Sequence, residues 1–179
     1  MLKNLSKPAK DLIKRWKLSQ YDKSVYDNRP DWDTYFLNIA YEVAKRSPDG
    51  QTKHGSVLVS QTNEIIATGY NGTIRNIEDN ILPNLRNSKY PFFIHSEINL
   101  LLSCARQGKP TLNTKIYITG EPCLHCYQCL WQAGIVEIIY GDTQSHMLQD
   151  KDTKIQMEIL QELTEDKLKI RAIKTKKCV

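Results

Sequence analysis

Two short segments, His95-Ser96-Glu97 and Pro122-Cys123-Leu124-His125-Cys126, restrict the folds open to this chain more than any other feature. Each stands where a helical pattern begins, the first after a long loop and the second after an apolar run that reads as a strand. A fold that brings them together must set two helix N-termini side by side at one edge of a sheet. Two thiols and an imidazole would then share a point with a carboxylate beside them, and the positive helix ends favour thiolate over thiol.

The surrounding pattern supplies such a sheet. Apolar residues at helical spacing predict a helix over 31–46, with Trp32, Tyr35, Phe36, Ile39, Ala40, Val43 and Ala44 inward and Asp31 as N-cap. Ser47-Pro48-Asp49-Gly50 ends it. Strands are expected at Gly55–Ser60 and Glu64–Gly69, joined by a turn at 61–63, and then a loop over about 73–94. Next come a helix over 95–107, with Ile98, Leu101, Leu102 and Ala105 inward, a strand at 115–119 and a helix over 123–133. A strand at 136–140, a helix at 152–163 and a strand at 167–173 complete the order α-β-β-α-β-α-β-α-β. The fold class is α/β, a three-layer α/β/α domain with a single mixed sheet and helices on both faces.

Residues 1–30 read as a basic N-terminal extension to a domain over 31–179. They carry eight Lys or Arg against three Asp, the whole of the chain's net charge of +5. A helix from Pro8 to about Leu18 would put Leu12, Ile13 and Trp16 on one side, packing on its own domain or on a neighbouring subunit, and 21–30 reads as an irregular linker. The remainder is neutral, which argues against a polynucleotide binder. No run of eighteen apolar residues is present, so a membrane span is not expected, and the N-terminal residues lack a secretory apolar core. We therefore expect a cytoplasmic protein, and in a reducing compartment the C-x-x-C favours metal binding or redox chemistry.

Three ligands, His95, Cys123 and Cys126, suit a catalytic Zn²⁺ with a fourth position for water. Glu97 is placed to carry protons beside the metal. A structural zinc knuckle with His125 or Cys129 as fourth ligand, or a pair of core cysteines, would leave Glu97 without a role. H-x-E followed by P-C-x-x-C is the signature of zinc nucleobase deaminases, in which the Glu serves as general acid and base.

Between about Tyr35 and Tyr140 the chain resembles the deoxycytidylate deaminase family of the cytidine deaminase superfamily. Besides the two zinc segments, the resemblance lies in Tyr35-Phe36-Leu37-Asn38-Ile39-Ala40, Arg46-Ser47-Pro48-Asp49, Gly69-Tyr70-Asn71-Gly72, Ser88-Lys89-Tyr90-Pro91 and Gln132-Ala133-Gly134-Ile135. It implies hydrolytic deamination of a free pyrimidine nucleotide, dCMP to dUMP with release of ammonia. It implies a cytidine-deaminase-like fold and a homo-oligomer, often a hexamer. Asn71 is expected on the sugar, with Ser96 and Pro122 as further substrate contacts. Gly69, Tyr70, Asn71 and Gly72 would also hold a dCTP activator, with Mg²⁺, or a dTTP inhibitor. Arg75, Arg86 and Lys89 are candidates for the phosphate, while the basic C-terminal run 174–177 reads as a solubilising tail.

The chain departs from the family at His54, where members carry an aliphatic residue, and at Gln144-Ser145-His146, where a pocket tyrosine is expected. His54 reads either as a surface or satisfied core histidine or as a change in base recognition. A deaminase of another base or of a polynucleotide such as tRNA, and a nucleotide sensor on the same fold, are the alternatives.

Overall fold

The computed structural model describes residues 4–19, 22–143, 150–164 and 167–174. The chain divides into two compact units, Met1–Asp31 and Trp32–Val179. The first holds α1 (Lys7–Ser19) and α2 (Lys23–Asp27). α2 lies inside the expected irregular linker. Asp22 caps it, its side chain accepting from the Ser24 N–H at 2.9 Å, and this local cap was not read from the sequence. On α1, Leu12 and Ile13 are half-buried, while Trp16 is exposed rather than inward.

The second unit holds α3 (Trp32–Ala44), β1 (Gly55–Val59), β2 (Ile65–Tyr70), β3 (Gly72–Thr73), β4 (Phe93–Ile94), α4 (Ser96–Gln107) and β5 (Thr114–Gly120). α5 (Leu124–Gln132), β6 (Ile135–Thr143), α6 (Lys151–Thr164) and β7 (Lys169–Ala172) follow. Five strands form one mixed sheet in the order β2-β1-β5-β6-β7. β1 runs antiparallel to β2 and β5, whereas β5, β6 and β7 are parallel. A separate two-stranded ribbon, β3 with β4, closes the base of the long loop, pairing Gly72 with Ile94. The expected single sheet therefore has this ribbon beside it.

Strand alternation separates two cores. Val57, Val59, Tyr117 and Ile139 pack with Phe36, Leu37 and Ala40 of α3. Leu58, Ile116, Ile118 and Ile138 face the other way, into Leu100 and Cys104 of α4, Tyr127 and Leu130 of α5 and Met157 of α6. These are the helix-covered faces expected of a three-layer domain. Two helix phases differ from the sequence reading. On α3 the buried residues are Phe36, Leu37, Ala40 and Ala44, with Trp32 and Tyr35 exposed. On α4 they are Ser96, Glu97, Leu100 and Cys104, and Leu102 is exposed. In α4 the inward face is the one that carries Glu97, a residue that apolar periodicity does not count.

Among the described residues, no helix is long and apolar enough to cross a membrane. The expectations for residues 144–146 and, but for Lys174, for the tail 174–177 fall outside the described residues.

Candidate active site

The antiparallel pairing of β1 with both neighbours brings three strand ends to one edge. Gly55 at the start of β1 pairs with Tyr70 at the end of β2, and Ser56 pairs with Ile118 near the end of β5. From that edge β5 runs through Gly120-Glu121-Pro122 into α5. α4 is drawn in by a close approach. A Cβ on Gly69 would stand 2.4 Å from the Ser96 carbonyl oxygen and 2.8 Å from the Leu100 nitrogen, so only glycine admits the helix there. The Ser56 hydroxyl, 3.0 Å from the same carbonyl oxygen, fastens the contact.

His95 and Cys123 occupy the N-cap positions of α4 and α5, both in extended backbone, and neither side chain caps its helix. An N-cap side chain ordinarily accepts from the first free amides; these two turn toward each other instead. His95 Nδ1 lies 3.4 Å from both Cys123 Sγ and Cys126 Sγ, and the three ligand atoms fall within 4.8 Å of one another. Pro122 precedes the cap, one position earlier than the helix start read from sequence. A tetrahedral zinc with Zn–S near 2.3 Å and Zn–N near 2.0 Å has S···N edges of about 3.6 Å, so this donor set fits the ion as it stands.

The electrostatics favour a thiolate at one of the two cysteines. A hydrogen bond from Cys126, joined by His95, holds the Cys123 thiol down at about 4 despite burial. His95 is raised by its contact with that thiolate. Cys126, the proton donor of the pair, is pushed up by Cys123 and then by burial, and the Glu97 carboxylate contributes through a contact with the same thiol. Metal binding must expel that proton. Glu97 is buried, and the Ser96 hydroxyl donates to its Oε2 at 2.7 Å. Ser96, read as a substrate contact, thus orients the carboxylate.

These groups form one end of a pocket that includes Asp49, Thr52, His54, Asn71, Arg86, Lys89 and Glu121. Its wall is built on Asp49, read from sequence only as part of a helix stop. Asp49 Oδ1 accepts from the Gln51 and Thr52 amides at 2.8 and 3.0 Å. Its Oδ2 accepts from Asn71 Nδ2 at 3.0 Å and from Lys89 Nζ at 2.5 Å. Burial raises the Asp49 carboxyl, but the Lys89 and backbone bonds outweigh it and the net shift is downward. Asn71 Nδ2 also donates to the Thr52 carbonyl, and its Oδ1 accepts from the His54 N–H at 2.7 Å. Both Asn71 amide hydrogens are therefore committed, and one lone pair on Oδ1 remains for a ligand hydroxyl.

The phosphate candidates separate. Lys89 is buried against Asp49, with Tyr90 and Phe93 flanking its ammonium at 5.9 and 5.8 Å, so its charge is spent inside the wall. Arg86 is exposed on the pocket and donates from Nη2 to Thr52 Oγ1 at 3.0 Å, leaving other guanidinium hydrogens available. Arg75 is exposed and is not part of the pocket lining, and neither are Pro122, Gly69, Tyr70 and Gly72. The two glycines serve packing: a Cβ on Gly72 would stand 3.3 Å from Pro48 Cδ. Sequence reading gave no site role to Thr52, Tyr90, Phe93 and Glu121. Of these, Glu121 could have been noticed from its place next to Pro122.

A mixed sheet under two helix N-termini that present imidazole, two thiols and a buried carboxylate defines a metal-dependent hydrolytic site. The comparisons narrow the class. The cytidine and deoxycytidylate deaminase zinc-binding region matches residues 30–142, and the chain belongs to that family. It is 30% identical over 126 residues to the deoxycytidylate deaminase of Homo sapiens, covering 67% of this chain and 70% of that protein. It is 33% identical over 135 residues to that of Saccharomyces cerevisiae, covering 71% of this chain and 42% of the yeast protein. In fold it is similar to the dCMP deaminase of cyanophage S-TIM5, solved with dCMP and dUMP, at TM-score 0.65 and 21% identity. That match covers 81% of this chain and 98% of the other.

Proposed function

We propose that this chain hydrolyses dCMP to dUMP and ammonia, with zinc held by His95, Cys123 and Cys126 and with Glu97 as general acid and base. The observation that carries the reading is the buried Glu97 carboxylate against a three-ligand cluster, in one pocket with Asn71 and Arg86. When bound, zinc supplies a Lewis acid that makes hydroxide available near neutral pH. Glu97 takes both protons of the attacking water in turn, the first as its oxygen adds to C4 and the second from the hydroxyl so formed, and delivers one to ring N3 and the other to the departing amine. The oxygen of water becomes the 4-carbonyl and the C4–N bond breaks. The Ser96 hydroxyl fixes which carboxylate oxygen is free to do this. The free lone pair of Asn71 Oδ1 accepts a sugar hydroxyl. Arg86 at the pocket mouth takes the phosphate, since Lys89 is already neutralised by Asp49.

Assembly as a homo-oligomer, and a regulatory nucleotide with Mg²⁺ near Gly69–Gly72, belong to the same proposal. Tyr70, partly exposed, is the side chain such an effector would meet.

Ammonia release by the zinc-loaded protein from dCMP, CMP, deoxycytidine, dCTP, AMP and GMP, with and without dCTP and Mg²⁺, tests the reading. Preferred turnover of dCMP supports it. Turnover of a purine or a free nucleoside in preference to dCMP overturns the substrate and keeps the zinc chemistry.

A further inference from the structure

His54 lines the pocket and has no part in the reaction as written. His54 directly precedes β1. Its backbone is held on both sides by Asn71, whose Oδ1 accepts from the His54 N–H at 2.7 Å and whose N–H donates to the His54 carbonyl at 3.0 Å. The root of the imidazole is therefore as fixed as the sheet edge.

The ring's tautomer follows from its side-chain hydrogen bond with Thr119. His54 Nδ1 lies 3.3 Å from Thr119 Oγ1. Thr119 is fully buried, and the same Oγ1 already accepts from the Gly55 N–H at 3.2 Å. A buried hydroxyl also has a proton to place. Among the described residues, the side-chain acceptor within its reach is His54 Nδ1. Nδ1 then accepts and the ring proton resides on Nε2. Burial pushes the imidazole pKa down, ahead of the opposing pull of Glu97, which keeps the ring in this neutral form. Nε2 hydrogen-bonds no described residue, and no buried side-chain nitrogen or oxygen among the described residues lacks a partner, so Nε2 is accessible on a residue that lines the cavity.

We propose that His54 is a specificity-determining residue, its Nε2–H donating a hydrogen bond to an acceptor oxygen of the bound nucleotide, either the pyrimidine 2-carbonyl or a sugar hydroxyl. This rests on reading the pocket as the dCMP site. A cytosine nucleotide offers as acceptors N3, the 2-carbonyl, the sugar oxygens and the phosphate. N3 faces Glu97 in the reaction and the phosphate belongs to Arg86, which leaves the 2-carbonyl and the single 3′-hydroxyl of dCMP as the strong acceptors, the ring ether oxygen being a weak one. An aliphatic side chain at this position packs against a ligand but donates nothing. The histidine adds a directional contact that an analogue lacking the acceptor cannot use.

The test compares zinc-loaded wild type, His54→Val and His54→Gln on dCMP, on its 2-thio analogue and on its 3′-deoxy analogue, with zinc content and thermal midpoint measured on each protein. Loss of one hydrogen bond is worth about tenfold. His54→Val should lower kcat/KM for dCMP about tenfold, mainly through KM, with zinc content unchanged, and His54→Gln, which keeps a donor, should restore part of it. The handicap should vanish on the 2-thio analogue if the carbonyl is the acceptor, and on the 3′-deoxy analogue if the hydroxyl is. Equal kcat/KM for wild type and His54→Val on dCMP overturns the inference. So does a handicap of the same size on all three compounds. If the wild type turns over no nucleotide, calorimetric titration with dCMP and dUMP separates the two failures. Binding weakened by His54→Val then keeps the inference and sinks only the reaction; equal binding sinks both.

Discussion

At the scale of single residues, the site separates groups that do chemistry from groups that hold them. Glu97→Ala should keep the fold and one zinc per chain while kcat falls about 10²–10⁴-fold, the usual range for a lost general acid–base group. Metal analysis beside steady-state rates checks it, and a variant that turns over normally removes Glu97 from the mechanism. Lys89 is the contrasting case. It was one of three candidates for the phosphate because a loop cation near a nucleotide pocket invites that role, yet its ammonium lies 2.5 Å from a buried carboxylate. Lys89→Met strands Asp49 without its counter-charge, and removing one partner of a buried pair costs about 3–5 kcal/mol. Urea unfolding should show a loss of that order. The double variant with Asp49→Asn should recover part of it, because the uncompensated charge is gone.

At the scale of elements, both motif helices begin at a residue whose side chain is diverted from capping, and their positions come from backbone packing. Gly69 illustrates it. The resemblance assigned its segment to an effector nucleotide, whereas the group Gly69 itself meets is the first turn of α4. Gly69→Ala should push α4 outward and carry His95 and Glu97 with it. A misplacement of about 1 Å at a catalytic group can cost roughly 10²-fold in rate. The control is Gly108→Ala at the C-cap of α4, where φ is +65° and no atom stands within 4 Å of the added Cβ. It should cost about 1 kcal/mol of stability and leave activity intact. Equal rates for the Gly69 variant and wild type would mean the approach is not needed to place the site. The phase of α4 teaches the same lesson. Counting apolar residues chose 98, 101, 102 and 105 as the inward face, but the helix turns to bury Glu97, Leu100 and Cys104. A buried functional carboxylate is invisible to hydrophobic periodicity.

At the scale of the whole molecule, charge pairs tie the first helix of the second unit to the far side of the sheet. Arg171 on β7 donates to Asp33 of α3 from Nη1 and Nη2 at 2.7 and 3.0 Å and to Glu137 of β6 from Nε at 2.8 Å. Tyr117 of β5 donates to Asp33 at 2.8 Å. The Arg171 bonds, followed by that of Tyr117, outweigh partial burial and hold Asp33 below the ordinary carboxylate value of 3.8. Asp49 is lowered as well. A carboxyl whose folded pKa is depressed contributes stability that is present above its unfolded pKa and lost as pH falls through the folded one. Thermal midpoints should therefore hold from neutrality to about pH 5 and drop below about pH 4. The drop should be shallower in Arg171→Met, and an acid limb unchanged in that variant would exclude Asp33 as a source. The order of the five sheet strands and of the helices between them, the candidate ligands His95, Cys123 and Cys126 and the candidate proton carrier Glu97 were legible in the sequence, because they rest on local periodicity and on residue chemistry at two helix starts. The β3–β4 ribbon, the Asp49–Lys89–Asn71 wall, the packing role of Gly69 and the inward turn of His54 were decided only by the tertiary structure. Each is a pairing between segments far apart in the chain, and its energy exists only once the sheet edge has brought those segments together.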